Sequence, residues 1–352
     1  MKQEYQPKSI VLEVTPYCNN DCLYCYNVWR APRSTYPQGR MSKEEIFKII
    51  DSLREDLPLE SVAISGGEPF TRPDLSEIVS YLWARNLNTV IISNGTLLTK
   101  ENIARTAGAH NYEVPLLSYK PNIHNYLTQN DCFDKVIDGM RNLDTAGARF
   151  AVAFIATKLN YQDLEKTLDL ALAMGAEGFL YNRMNVSINN HRHLEELLPD
   201  LDMIRQNLEV LEHYGATYGV PISCSIPVQP CLIDMSQYPH VYSGYCPLAG
   251  KNNGEDAYFT VDPLGNLRVC NHSSVILGNL LKDRFRDLVN HPVVQDYRQI
   301  IPEACVACPP DIRDYCQGGC KAAAEVCSGF LTECEPFLKC HLSERTIPVP
   351  IS

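Results

Sequence analysis

The chain has 352 residues, 45% of them hydrophobic and 21% charged, which is enough for a large catalytic domain with a smaller appendage and is ordinary for a globular protein. A formal charge of −11 argues against broad nucleic-acid or anionic-lipid binding, and no run approaches the roughly 20 apolar residues that cross a bilayer. The N-terminal residues lack a signal-peptide core, so a cytoplasmic setting is expected, and there fifteen cysteines, an odd number, point to metal ligation rather than a disulfide framework.

In chain order, β-branched apolar runs alternate with helix-period segments, as parallel βα units do. Six strands are expected at Ile10 to Thr15, Ser61 to Ser65, Thr89 to Ser93, Glu113 to Ser118, Phe150 to Thr157 and Gly178 to Tyr181. Ser42 and Glu45 form an S-x-x-E capping box ahead of Ile46, Ile49, Ile50 and Leu53, which starts the first helix. Six units fall short of a closed eight-stranded barrel. The expected fold is therefore α/β, a partial (β/α)6 barrel with chemistry at the C-terminal strand ends. A helix from Leu201 to Tyr214 follows, and from Cys246 the chain is short-segmented and holds nine of the fifteen cysteines. The expected division is 1–215 for the barrel, 216–245 as a bridge and 246–352 as a metal-stabilised module.

After the first strand, Cys18, Cys22 and Cys25 form a C-x3-C-x2-C run. Three thiolates can hold a four-iron cluster with one iron open, or a zinc ion completed by a fourth ligand elsewhere. The run has an aromatic residue, Tyr24, before its last cysteine, and in this it resembles the radical S-adenosylmethionine (SAM) superfamily. Strand two ends in Gly66-Gly67-Glu68-Pro69, strand three in Ser93-Asn94-Gly95, and strand four in Ser118-Tyr119-Lys120, each similar to a segment of that family. The resemblance implies that Cys18, Cys22 and Cys25 hold a catalytic [4Fe-4S] cluster to which SAM binds. It implies that reduction of SAM yields a 5′-deoxyadenosyl radical, and that Tyr24, Gly66, Gly67, Glu68, Ser93, Asn94 and Ser118 contact SAM. Where family members often have Asp, this chain has Lys120.

The later cysteines read Cys246, then Gly265-x4-Cys270, then Cys305-x2-Cys308, Cys316-x3-Cys320 and Cys340. This pattern resembles the SPASM domain. The resemblance implies two auxiliary [4Fe-4S] clusters, the first on Cys246, Cys270 and Cys320 and the second on Cys305, Cys308, Cys316 and Cys340, with Cys334 as runner-up to Cys340. Because Lys251, Asn252 and Asn253 stand where some members have another cysteine, an open iron is expected in the first auxiliary cluster. The alternative for Cys305, Cys308, Cys316 and Cys320 is a zinc ribbon. Cys132, Cys224 and Cys231 fall outside both patterns, and buried thiols are common. His191 and His193 read as a solvated helix entry. His272, two residues after Cys270, stands where it could tune the adjacent cluster or meet substrate.

The SPASM resemblance implies an oxidoreductase that matures a ribosomally made peptide, by thioether or carbon–carbon crosslinking or by epimerisation. An electron donor such as flavodoxin or ferredoxin is then required. With the first strand about ten residues in, a leader would be bound by a separate protein, or there is none. Sulfatase maturases carry Asp after the cysteine matching Cys270; Asn271 here argues against that activity. The alternatives are an enzyme acting on a tetrapyrrole or other small molecule, and a non-enzymatic electron carrier, which would not cleave SAM.

Overall fold

The computed structural model describes residues 6–344 except 31–35, 37, 227, 245, 247 and 249–256. The expected strands form a parallel array: β1 (Ser9–Glu13), β2 (Ser61–Ser65), β3 (Asn88–Ile92), β4 (Asn111–Pro115), β5 (Phe150–Ala156) and β6 (Gly178–Arg183). Each is hydrogen-bonded to the next, with Val11 opposite Ala63 and Phe154 opposite Tyr181. β1 reads Ile-Val-Leu-Glu after Ser9 and is buried along that whole run, as a parallel strand covered on both faces must be.

Helices α1 (Lys43–Asp56), α2 (Leu75–Trp83), α3 (Lys100–Arg105), α4 (Pro121–Thr128), α5 (Phe133–Thr145) and α6 (Leu164–Ala173) pack outside the strands. The capping box at α1 is present: Ser42 Oγ accepts from Glu45 N at 3.2 Å, and Ser42 N donates to Glu45 Oε2 at 2.8 Å. Its apolar stripe Ile46, Ile49, Ile50 and Leu53 is buried. The next long helix, α7 (Leu201–Tyr218), runs four residues past the expected end, to Gly219 at φ +64°, where the left-handed turn suits glycine.

Two features go beyond the sequence reading. Residues from the expected bridge supply β7 (Ile222–Cys224) and β8 (Val241–Ser243), both parallel, which extend the array beyond β6. At the other edge, β9 (Tyr258–Val261) pairs in parallel with β1, and β10 (Asn266–Arg268) and β11 (Ile276–Asn279) continue antiparallel. The hairpin that turns through Asp262 to Asn266 thus belongs, among the described residues, to one eleven-stranded sheet with the barrel strands. The hydrophobic core is likewise shared, running from Ile10 through Phe259 and Phe285 to Leu338.

Buried charges join the halves. Arg268 of β10 pairs with Glu13 of β1, both sealed from solvent, beneath the rings of Trp29 and Tyr36. Burial pushes the Glu13 carboxyl up to about 7, although Arg268 pulls it down. Arg183 of β6 pairs with Glu335 at 2.6 Å. On the outer surface, Asp56 at the end of α1 accepts from Arg284 and Arg286.

Candidate active site

The cysteine loop leaves β1 at its C-terminal end and is strapped down by backbone hydrogen bonds. Asp21 N and Leu23 N donate to Thr128 O and Leu127 O of α4, and Cys25 N donates to Cys22 O. Arg30 donates to Asn20 O at 2.6 Å and to Asp21 at 3.0 Å. Burial raises the Cys22 thiol, and the thiolates of Cys25 and Cys18 raise it further, so the three share one electrostatic site, which Arg30 opposes. Tyr24 is half-buried and sends its hydroxyl to Cys22, beside an apolar patch of Leu117, Leu127 and Met184.

Gly66 and Gly67 press this loop from below. Gly67 N donates to Thr15 O and Glu68 N to Tyr17 O, both at 2.7 Å. A methyl group at Gly67 would stand 2.1 Å from Tyr17 O, and Gly66 adopts φ +130°. Only glycine permits this approach.

Glu68 follows, fully buried. Its carboxylate accepts from Phe70 N at 3.0 Å, Ser93 Oγ at 3.0 Å and Asn94 N at 2.6 Å. No Lys or Arg among the described residues pairs with it, and burial pushes it up to about 7 despite those three donors. The Asn94 amide lies 3.7 Å from Cys18 Sγ and donates to Asn19 Oδ1 at 2.8 Å. The ends of β1, β2 and β3 thereby converge.

Ser118 is different. It is fully buried, and its hydroxyl donates to Asp163 at 2.6 Å while accepting from Lys120 N. Lys120 Nζ pairs with the other Asp163 oxygen at 2.6 Å. The acid missing from position 120 is thus supplied by Asp163 at the next strand end, a partner that sequence reading missed; an unexplained lysine in an acidic residue's place was its only signal. The loop after β6 was missed as well. Asn189 donates to Cys25 O at 3.0 Å and Asn190 to Tyr24 O at 2.9 Å. Asn182 caps the chain after β7 and Asn160 braces its own turn.

A second group of thiols lies across that loop. Cys246, Cys270 and Cys320 line one cavity of about 40 Å³ together with Asn185, Tyr258, His272, Tyr297 and Lys321. Burial and the neighbouring thiolates push Cys270 up to about 12, and burial with the Glu335 charge pushes Cys320 up to about 11. Asn185 donates to Cys320 Sγ at 3.2 Å. His272 packs on Tyr26 with ring centres 4.6 Å apart, and burial holds its imidazole down at about 4. Cys305 is buried and Cys308 and Cys316 are half-buried, whereas Cys340 is exposed and Cys334 is buried. Positions 251–253, on which the open-iron expectation rests, lie outside the described residues.

Among the described residues, no three His, Cys, Asp or Glu side chains are grouped to hold a single metal ion. The donor set suits a cluster: three thiols on one loop, beside a buried carboxylate that no Lys or Arg among the described residues pairs with.

The radical SAM superfamily profile matches residues 12–171, from β1 into α6. The chain carries a radical SAM domain. Members of this superfamily use a [4Fe-4S] cluster and SAM. The radical SAM chain is 27% identical over 346 residues to the AdoMet-dependent heme synthase of Methanosarcina barkeri, covering 94% of this chain and 96% of that one. It is 26% identical over 332 residues to the mycofactocin maturase MftC of Mycolicibacterium smegmatis, covering 90% and 79%. Among solved structures, Streptococcus suis SuiB bound to its precursor peptide SuiA superposes with TM-score 0.71 at 15% identity, covering 94% and 75%. The protein anSMEcpe with AdoMet and the Kp18Cys peptide superposes with TM-score 0.73 at 14% identity, covering 96% and 95%. At such identities the structural likeness shows the shared partial-barrel fold. No helix among the described residues is long and apolar enough to cross a membrane.

Proposed function

We propose that this radical SAM enzyme modifies a ribosomally made peptide by hydrogen-atom abstraction, forming a thioether or carbon–carbon crosslink or inverting a stereocentre. The observation that carries the reading is the meeting of the Cys18, Cys22 and Cys25 loop with the buried carboxylate of Glu68, across from three further thiols around one cavity. Cys18, Cys22 and Cys25 would hold the SAM-binding cluster, which when reduced would supply the electron that cleaves SAM to methionine and a 5′-deoxyadenosyl radical. Glu68 receives the ammonium of SAM, and its three donors hold the carboxylate in place for that charge. Tyr24, Gly66, Gly67, Ser93 and Asn94 shape the same pocket, and Ser118 acts from behind it through Asp163.

Cys246, Cys270 and Cys320 hold one auxiliary cluster, and Cys305, Cys308 and Cys316 belong to another. Electrons arrive from a flavodoxin- or ferredoxin-type donor. The SPASM-like cysteine spacing and the match to a mycofactocin maturase support the peptide reading. The match to a heme synthase along nearly all of both chains favours a second reading, in which the substrate is a tetrapyrrole.

The test is anaerobic reconstitution with iron and sulfide, then SAM and dithionite, reading 5′-deoxyadenosine by chromatography. Wild type should cleave SAM and a Cys18/Cys22/Cys25 to Ala variant should not; no cleavage by wild type overturns the reading. Mass spectrometry then decides between substrates. Loss of two hydrogens from a precursor peptide, or uptake of one deuterium from D2O on epimerisation, supports the first reading, and conversion of a tetrapyrrole to a product of different mass supports the second.

A further inference from the structure

Glu113 lies on the inner face of the barrel. Its neighbours on β4, Tyr112 and Val114, are buried toward the helices, Tyr112 with its hydroxyl on Thr106 at the end of α3. Side chains alternate along a strand, so Glu113 points the other way, into the barrel. The register agrees. Glu113 stands between Ile92 of β3 and Ala151 of β5, and the same face continues through Val90, Ala63 and Leu180. All six are only half-buried, although each of their strands is paired along both edges and backed by helices. Their accessible surface must then open inward. A closed eight-stranded barrel fills this space with layers of side chains, whereas here small and apolar residues line an open chamber. The chamber adjoins the Glu68 pocket: Ser93 N donates to Glu113 O at 3.0 Å, and Ser93 Oγ donates to Glu68.

We propose that Glu113 anchors the substrate in this chamber, taking the ammonium or guanidinium of a Lys or Arg side chain of the peptide. The inference rests on the peptide reading given above. Glu13, the other carboxylate on this face of β1 to β6, is committed to Arg268. Glu113 has no hydrogen bond or ion pair through its side chain among the described residues, and burial alone pushes its carboxyl up to about 7. An acid left unpaired among apolar side chains costs free energy whenever it ionises, and a cation brought by a ligand recovers that cost. A ligand bearing carboxylates would meet like charge there instead. The place of Glu113 beside Ser93 has a further consequence. A basic side chain held at this point sets the register of the peptide beneath the SAM pocket, so the anchor selects which neighbouring residue is presented for hydrogen-atom abstraction.

The test offers a degenerate library of N-acetylated octapeptides, with SAM, to the full-length, anaerobically reconstituted enzyme and sequences the retained peptides by mass spectrometry. Wild type should enrich Lys or Arg at one position, and E113K should invert this preference to Asp or Glu. Affinity for the leading wild-type peptide should fall on the order of 30-fold in E113Q, which keeps the shape of the side chain. Retained peptides with no basic preference, or full affinity in E113Q, overturn the assignment of Glu113. SAM affinity, read by equilibrium dialysis, tests the competing occupant: a fall on the order of tenfold in E113Q places Glu113 on SAM and overturns the assignment too. Retention of no peptide by wild type that cleaves SAM overturns the underlying peptide reading instead. Iron content reports that each variant is folded, and should E113K lose iron, E113Q alone decides.

Discussion

Arg183, the last residue of β6, and Glu335, just ahead of the C-terminal helix, pair at 2.6 Å with both side chains sealed from solvent. The Phe337 ring lies 4.5 Å from the same guanidinium. One contact thus ties a barrel strand to the module that carries the later cysteines. Removing one partner leaves the other charge buried, which costs about 3–5 kcal/mol, whereas apolar replacement of both is often neutral. R183M and E335L should each lower stability by about that amount, and the double variant should recover most of it, as read from urea unfolding of the reconstituted protein. Single variants within 0.5 kcal/mol of wild type, a change typical of exposed sites, would exclude this role.

Glu68 predicts a pH dependence whose sign follows from its burial. Burial raises its folded carboxyl to about 7, above the ordinary value of 4.5 at which the unfolded chain releases the proton. The group's contribution is therefore fully present below about 4.5, falls as pH rises through that window, and is lost above about 7, on the order of 3 kcal/mol in all. E68Q should flatten this decline in urea unfolding of SAM-free protein between pH 5 and 8. Because the proposed ammonium partner requires the ionised carboxylate, wild-type affinity for SAM should rise over the same range. E68Q should weaken it on the order of 100-fold at pH 8, consistent with loss of a buried charge partner. Equal SAM affinity at pH 6 and 8 would remove Glu68 from that role.

At Gly67 the prediction is steric. Alanine would place a methyl carbon 2.1 Å from Tyr17 O and 3.0 Å from Cys18 N, both backbone atoms that no side-chain rotation can move. G67A should displace the cysteine loop, losing about four irons and SAM cleavage while the auxiliary clusters keep their EPR signals. Full iron content with normal cleavage would show that the loop tolerates the displacement.

The Asn185 amide reaches Cys320 Sγ at 3.2 Å. Hydrogen bonds to ligand sulfur stabilise the reduced, more negative cluster and raise its potential. N185L should lower the midpoint potential of one auxiliary cluster in an EPR-monitored titration while leaving iron content and the SAM-cluster signal unchanged. An unaltered potential would show that this contact only positions the β6 loop.

The capping box at Ser42 and Glu45, the six βα strands and the three-cysteine loop were all legible in the sequence, since each is written in a few neighbouring residues. The pairing of β9 with β1 was not. Tyr258 and Ser9 face each other across some 250 residues, and no local periodicity specifies which sheet edge a hairpin will cover. The same limit hid Asp163 behind Ser118 and Asn189 behind Cys25, because a hydrogen bond across strand ends leaves no trace in spacing.

By itself the sequence determined the chemistry on offer: the thiol groups, the glycines that let them approach backbone, and a carboxylate at a strand end. Spacing and side-chain type are local properties, and they persist whatever the chain does elsewhere. Only the tertiary structure decided which groups meet. It buried Glu68 without a Lys or Arg partner among the described residues, gathered Cys246, Cys270 and Cys320 around one cavity, and left Cys340 in solvent. Burial and long-range proximity arise when the whole core closes, because the desolvation that shifts a charge and the contact that completes a ligand set both depend on residues far away in the chain.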